Sequence, residues 1–162
     1  MNLLEIRNLV KTYDNGSEKL KILNDIDLDL EKGDNLVITG ESGCGKSTLL
    51  NIIGSLDSAQ GGSIKVGDCN VSELKEEELY YFRNHTVGFI FQFHYLLKEL
   101  TAVENIMLPS FISGVPRKEA LEKAEQLLER VNLYNRKDHY SRQLSGGERQ
   151  RVAVARAMIN NP

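Results

Sequence analysis

The sequence predicts a mostly parallel α/β domain that opens on an antiparallel sheet and carries a helical insert near its end. Three observations predict it. Near the start, Ile26, Leu28 and Leu30 alternate with acids in "IDLDL", the pattern of a sheet with one wet face. The short apolar runs "NLVITG" (35–40) and "TVGFIF" (86–91) have the composition of strands buried on both faces. Further on, Ala120, Leu121, Ala124, Leu127, Leu128 and Val131 recur at helical spacing.

The elements come in a readable order along the chain. "LLEIRNLVKTY" reads as a first strand, "DNGS" at 14–17 as a turn, and "IDLDL" as the second strand. After an "EKGD" turn comes the buried run 35–40, then a helix from Lys46 to about Gly54. A "DSAQGG" turn leads to a short strand "SIKVGD", and Ser72 is placed as the N-cap of a helix through "ELKEEELYYF". The run 86–91 reads as a second buried strand. Thr101 and Glu104 have capping-box spacing before "NIMLPSF", and Pro116 suits a helix start.

Composition narrows the function. The chain has 162 residues, 41% apolar and 27% charged, which describes a soluble globular domain. Its net charge of −3 argues against a nucleic-acid surface, so no nucleic-acid partner is expected. No apolar run reaches the roughly 18 residues a membrane helix requires, and Glu5 and Arg7 interrupt the N-terminus before a signal core could form. Cys44 and Cys69 form no disulfide or metal-ligand pattern, and the reading is a cytoplasmic protein with two free thiols.

"GESGCGKST" supplies the chemistry. It matches Gly, four residues, then Gly-Lys-Ser/Thr, and it falls between an apolar run and a helix. Gly40, Gly43 and Gly45 let the backbone curl so that amides point inward around phosphate oxygens. Glu41, Ser42 and Cys44 complete the loop, and Cys44 occupies a variable position. Lys46 adds a full positive charge for the β- and γ-phosphates, the Ser47 hydroxyl is the Mg²⁺ ligand, and Thr48 stabilises the same turn. Nucleotide binding with Mg²⁺ is assigned to Gly40 through Thr48, and the loop alone fits a kinase, a GTPase, a helicase or a transporter; ATP as the nucleotide follows only from the resemblance below.

"LSGGERQ" at 144–150 is a second anion-ready helix start. Ser145 and Glu148 have capping-box spacing, which leaves the amides of Gly146 and Gly147 exposed in the first turn. With this motif the chain closely resembles, over its full length, the nucleotide-binding subunits of ABC transporters, whose signature is Leu-Ser-Gly-Gly-Gln. The fold implied is that of an ABC-type P-loop NTPase, with a parallel core sheet, an N-terminal antiparallel β subdomain and a helical subdomain bearing the signature. The resemblance divides the single domain into a β-rich ATP-binding core (1–92), a mainly helical part (93–145) and the signature helix (146–162).

The same resemblance assigns further roles. Leu144, Ser145, Gly146, Gly147 and Glu148 would act on the ATP of a partner subunit, in a head-to-tail dimer of two copies. Tyr13 corresponds to the aromatic residue that stacks on adenine. Gln92 corresponds to the catalytic glutamine that meets Mg²⁺ and the attacking water, and Phe93, His94, Tyr95 and Leu96 to the loop that touches an integral membrane permease subunit. That places the protein at the inner face of the cell membrane.

Glu148, where the family most often has Gln, points with "LTAVENIMLP" and "LSGGERQRVAVARA" to the lipoprotein-releasing and macrolide-export branch. The function implied is ATP-driven dimerisation and hydrolysis coupled to export or lipoprotein release. In the family, the signature helix leads into a strand ending in Asp-Glu, and no such strand follows Pro162. A truncated chain is therefore expected, with its core incomplete, marginal stability, weak nucleotide binding and little hydrolysis alone. A hydrolysis-incompetent fragment and a soluble, non-transport ATPase are the alternatives. The DNA-repair relatives carry a long coiled-coil insert that the segment from Gln92 to Leu144 lacks.

Overall fold

A computed structural model describes every residue except 1, 15 and 17, so two positions of the turn expected at 14–17 lie outside the described residues. The chain forms two compact units, Met1–Leu79 and Tyr80–Pro162.

The first unit is built on a long hairpin. β1 (Asn2–Asp14) pairs antiparallel with β2 (Lys19–Glu31) on one side and with β3 (Gly61–Val66) on the other. A two-residue β4 (Cys69–Asn70) completes the order β2-β1-β3-β4. Leu4, Ile6 and Ile64 point to the buried face, and Ile6 sits between Leu28 and Ile64. The opposite face is wet and carries an Arg7–Asp29 ion pair at 2.7 Å.

A bulge interrupts that alternation and resets which side chains of β1 face inward. Asn8 takes a left-handed φ of 48°, and its backbone N–H donates to Asp27 Oδ1 at 2.7 Å. The extra residue switches the buried set from Leu4 and Ile6 to Leu9 and Lys11. Gly62, at φ 89°, lies against the bulge, where a Cβ would run into the carbonyl oxygens of Arg7 and Asn8. Lys11 is thereby turned inward, in step with Leu9.

α1 (Lys46–Ile53) adds Leu49 and Ile52 to the buried residues of this unit. The preceding run 35–40 departs from expectation. It makes no ladder among the described residues, and Val37 is 79% exposed. The run 86–91 behaves alike, with Ile90 45% exposed. A buried parallel strand is a relation between neighbours, and no described strand pairs with either run. The described sheet is antiparallel throughout.

The helix predicted from Ser72 also begins later. Ser72 sits in a 3₁₀ turn, and its hydroxyl accepts the backbone N–H of Ile64 at 2.9 Å, so it is unavailable as a cap. α2 (Glu76–His85) starts instead with three glutamates in its first turn, one of which, Glu78, accepts the Lys75 N–H at 2.8 Å.

In the second unit α3 (Ala102–Ile112), α4 (Arg117–Arg130) and α5 (Gly146–Met158) pack on one another. Ala120, Ala124 and Leu128 of α4 are fully buried with Ile106 of α3 and Val152 and Ala155 of α5. The small alanines permit close approach, and the larger side chains contribute about 1.5–3 kcal/mol each by burial. Thr101 and Glu104 form the expected capping box. Pro116 stands one position before the helix, as its N-cap. Asn105 is fully buried and binds the preceding loop from within, accepting the Leu97 N–H and donating to the carbonyls of Leu97, Leu100 and Thr101.

Candidate nucleotide-binding site

The loop 40–48 is made by its glycines. Gly40, Gly43 and Gly45 have φ of 150°, 85° and 99°, conformations that side chains rarely adopt. At Gly45 space matters as well, because a Cβ would come within 2.8 Å of Ile22 Cγ2 and 3.2 Å of the Ile22 carbonyl oxygen. Gly45 is also the N-cap of α1, and it offers no side chain to the helix amides. The first-turn amides of α1 therefore remain available to an anion.

Lys46 closes the loop. Its ammonium donates to the carbonyls of Gly40 at 2.9 Å and Glu41 at 2.5 Å, with Cys44 Sγ at 3.6 Å. A positive charge thus sits in a ring of backbone, where an anion would meet both the ammonium and the helix start. Glu41, Ser42 and Cys44 line the open side and are exposed. Ser47 is exposed in the first turn, and Thr48 is half-buried. No group of three or more His, Cys, Asp or Glu that could hold a metal occurs among the described residues. Mg²⁺ at this site would take the Ser47 hydroxyl together with phosphate oxygens, the hard-oxygen ligands that ion prefers.

Tyr13 lies beside this loop. It pairs with Leu20 across the hairpin, and Ile22, two residues along β2, touches Gly45. Two strand residues span roughly 7 Å. The ring is 43% exposed, and its hydroxyl donates to Asp57 Oδ2 at 2.7 Å. The other oxygen, Asp57 Oδ1, receives the buried ammonium of Lys11 at 2.6 Å. Burial pushes the Asp57 carboxyl up, but hydrogen bonds from Lys11, Tyr13 and the Ser58 backbone outweigh it and hold it below its ordinary value. Sequence reading missed Lys11 and Asp57: the polar pair Arg7-Asn8 signals the change of parity on β1, but nothing local names a partner so distant in the chain.

The remaining expected residues lie in the second unit. Ser145 Oγ accepts the Glu148 N–H at 3.3 Å and the Glu148 carboxylate accepts the Ser145 N–H at 2.7 Å, which is the predicted capping box. Gly146 and Gly147 are exposed at the helix start, while Leu144 is buried and its carbonyl accepts from Arg149 at 2.5 Å. The backbone bond from Ser145 holds the Glu148 carboxylate below its ordinary range.

Gln92 is exposed and begins an aromatic loop. Phe93 and Tyr95 are 75% and 62% exposed, His94 and Leu96 half-buried. His94 and Tyr95 are both left-handed, at φ 64° and 46°. Their carbonyls accept two hydrogen bonds from one guanidinium, Arg156 of α5, at 2.6 and 2.8 Å. Arg156 holds this strained pair in place, and burial lowers its pKa. Sequence reading did not single it out, though a lone arginine within the apolar "VAVARAM" was the available signal.

Comparison with known proteins agrees with this geometry. Residues 23–162 match the protein family described as ABC transporter. Over 161 residues the chain is 52% identical to the lipoprotein-releasing system ATP-binding protein LolD of Treponema denticola, covering 99% of this chain and 71% of that protein. To LolD of Bacteroides fragilis it is 49% identical, over 99% of this chain and 72% of the relative. The ATP-binding cassette MJ0796, solved as a dimer in a post-hydrolysis state bound to ADP and Pi, superposes with a TM-score of 0.90 at 37% identity. That match covers 98% of this chain and 70% of the other. A phosphate loop, a capped signature turn and the cassette fold in one chain leave one conclusion: this protein belongs to the ABC transporter family, as an ATP-binding subunit.

Proposed function

We propose that the chain binds ATP with Mg²⁺ in the loop 40–48 and works as the ATPase of a lipoprotein-releasing system. The observation that carries this is the loop itself: three left-handed glycines around an ammonium, at an uncapped helix start. Lys46 and the α1 amides take the phosphates, Ser47 takes the metal ion, and the open face of Tyr13 takes the base. Gln92 orients the attacking water. The free amides of Gly146 and Gly147, with Leu144, Ser145 and Glu148 forming the turn, contact the nucleotide held by a second copy of the chain. The dimeric state of MJ0796 supports that arrangement.

The names of the LolD relatives support lipoprotein release as the work done, through an integral membrane permease met by the loop Phe93–Leu96. The protein would then sit peripherally on the cytoplasmic face of the membrane. No helix among the described residues is long and apolar enough to cross it. The functional parts proposed are the ATP-binding core to residue 92, the helical part to 145, and the signature helix from 146.

Calorimetric titration of MgATP into the wild type and Lys46→Ala tests the reading. Removing a charged hydrogen-bonding partner of phosphate lowers affinity about 10-fold or more. The Lys46 bonds are to its own loop, so the melting temperature should change little. Equal affinity in both proteins would refute phosphate binding by this loop.

A further inference from the structure

The turn between α1 and β3 is fastened to β1 more firmly than a connection of its length requires. Lys11 Nζ donates to Asp57 Oδ1 and to the Ser58 carbonyl, both at 2.6 Å. Tyr13 donates to Asp57 Oδ2. Gln60 closes the other end: its Oε1 accepts the Thr12 N–H at 2.8 Å and its Nε2 donates to the Thr12 carbonyl at 2.9 Å, as a neighbouring strand would. The Gln60 backbone N–H adds a bond to the Val10 carbonyl at 2.9 Å.

Lys11 is only 5% exposed, so its charge is removed from water and needs a partner. Asp57 supplies it with one oxygen. The second oxygen is then fixed in space and takes the Tyr13 phenol. The Lys11 ammonium also lies over the Tyr13 ring, 4.8 Å from its centroid, and occupies one face. A base can stack only on the other. We propose that Asp57, anchored by Lys11, is the positioning residue that sets the plane of Tyr13 for the adenine base of the nucleotide.

This rests on the reading that Tyr13 stacks on adenine, and it adds a cause for the ring's orientation. Asp57 lies in the turn that leaves α1, so the connection after the helix assigned to the phosphates carries the carboxylate that aims the ring. The base and phosphate ends of the site are set by one continuous segment, residues 40–60. A phenylalanine at position 13 would keep the stacking surface but lose the bond that orients it.

The experiment compares ATP with inorganic tripolyphosphate, which lacks the base, by equilibrium titration of the full chain with Mg²⁺. Tyr13→Phe and Asp57→Asn are each expected to weaken ATP about 3- to 10-fold, the worth of one hydrogen bond, and to leave tripolyphosphate unchanged. The double variant should be no weaker than either single one, as two ends of one bond behave. Asp57→Asn leaves the Lys11 charge less well paired, and if it fails to fold, Tyr13→Phe alone decides.

Tyr13→Ala separates this inference from the reading beneath it. If Tyr13→Ala binds ATP like the wild type, stacking itself is wrong and the inference falls with it. If Tyr13→Ala is weak while Tyr13→Phe binds normally, stacking stands and the orienting role of Asp57 is overturned. Equal losses for ATP and tripolyphosphate would also overturn it, since they indicate a general disturbance of the fold.

Discussion

The two helix starts assigned to phosphate differ in how they are held. α1 begins at a left-handed glycine with no side-chain cap and no acidic residue in its first turn. α5 begins at Ser145 with a reciprocal box, in which Ser145 occupies the Glu148 amide and Glu148 the Ser145 amide. The first start leaves its amides to a ligand and depends on backbone shape. The second satisfies part of its own need, leaving Gly146 and Gly147 to offer a short final contact. On the proposed reading, the start that is to surround several phosphates is the one not filled by its own cap.

Glycine substitution breaks this contrast most sharply. Gly45→Ala places a methyl within 2.8 Å of Ile22 Cγ2 at φ 99°, a strain of about 1–3 kcal/mol at the point where the loop turns into α1. MgATP binding should fall at least tenfold and the melting temperature should drop. Gly147→Ala meets only Arg151 Nη1, at 3.8 Å, with no left-handed backbone, and should raise helix stability by roughly 0.5–1 kcal/mol. Thermal melts of the two variants should therefore move in opposite directions. Parallel shifts would show that the two starts are built alike.

This asymmetry also sorts what was legible in the sequence. Local signals were read well: the hairpin strands, the glycine turn into α1, and the boxes at Thr101 and Ser145 each depend on residues a few positions apart. The helical stripe of α4 was equally plain, because its period is local. What escaped depends on distant partners. Ser72 looks like a cap until Ile64 takes its hydroxyl. The runs 35–40 and 86–91 have strand composition, yet pairing is decided by neighbours that composition does not name. Lys11, Asp57 and Arg156 act through contacts set by a bulge or by helix packing, and no periodicity reveals them.

The capping serine gives the next effect in size. Ser145→Ala removes the acceptor for the Glu148 N–H and should cost about 1 kcal/mol, confined to the second unit. Hydrogen exchange of α5 amides should quicken while the amides of α1 keep their rates. Nucleotide held in the loop 40–48 of the same chain should bind with unchanged affinity, because Ser145 is assigned to the partner's nucleotide. A loss of ATP affinity in the isolated chain, with no change in α5 exchange, would reverse that assignment.

Acid makes the same comparison more gently. The Glu148 carboxylate lies below its ordinary value of 4.5, chiefly through the Ser145 backbone N–H, and Glu104 is lowered likewise by the Thr101 N–H at the start of α3. A carboxylate with a depressed folded pKa contributes stability that is fully present above its unfolded value and is lost as the pH falls through the folded one. Both capped starts should therefore loosen as pH drops from about 6 to below 4.5, whereas α1, with no acid in its first turn, should not follow them through this mechanism. Amide chemical shifts of Glu104 and Glu148, followed through an acid titration, report each start separately. Glu148→Gln should flatten the α5 curve and leave the α3 curve in place, because glutamine keeps the reciprocal hydrogen bond without the titrating charge. If the α5 curve survives that substitution, the acid sensitivity belongs to another group and the box is not its source.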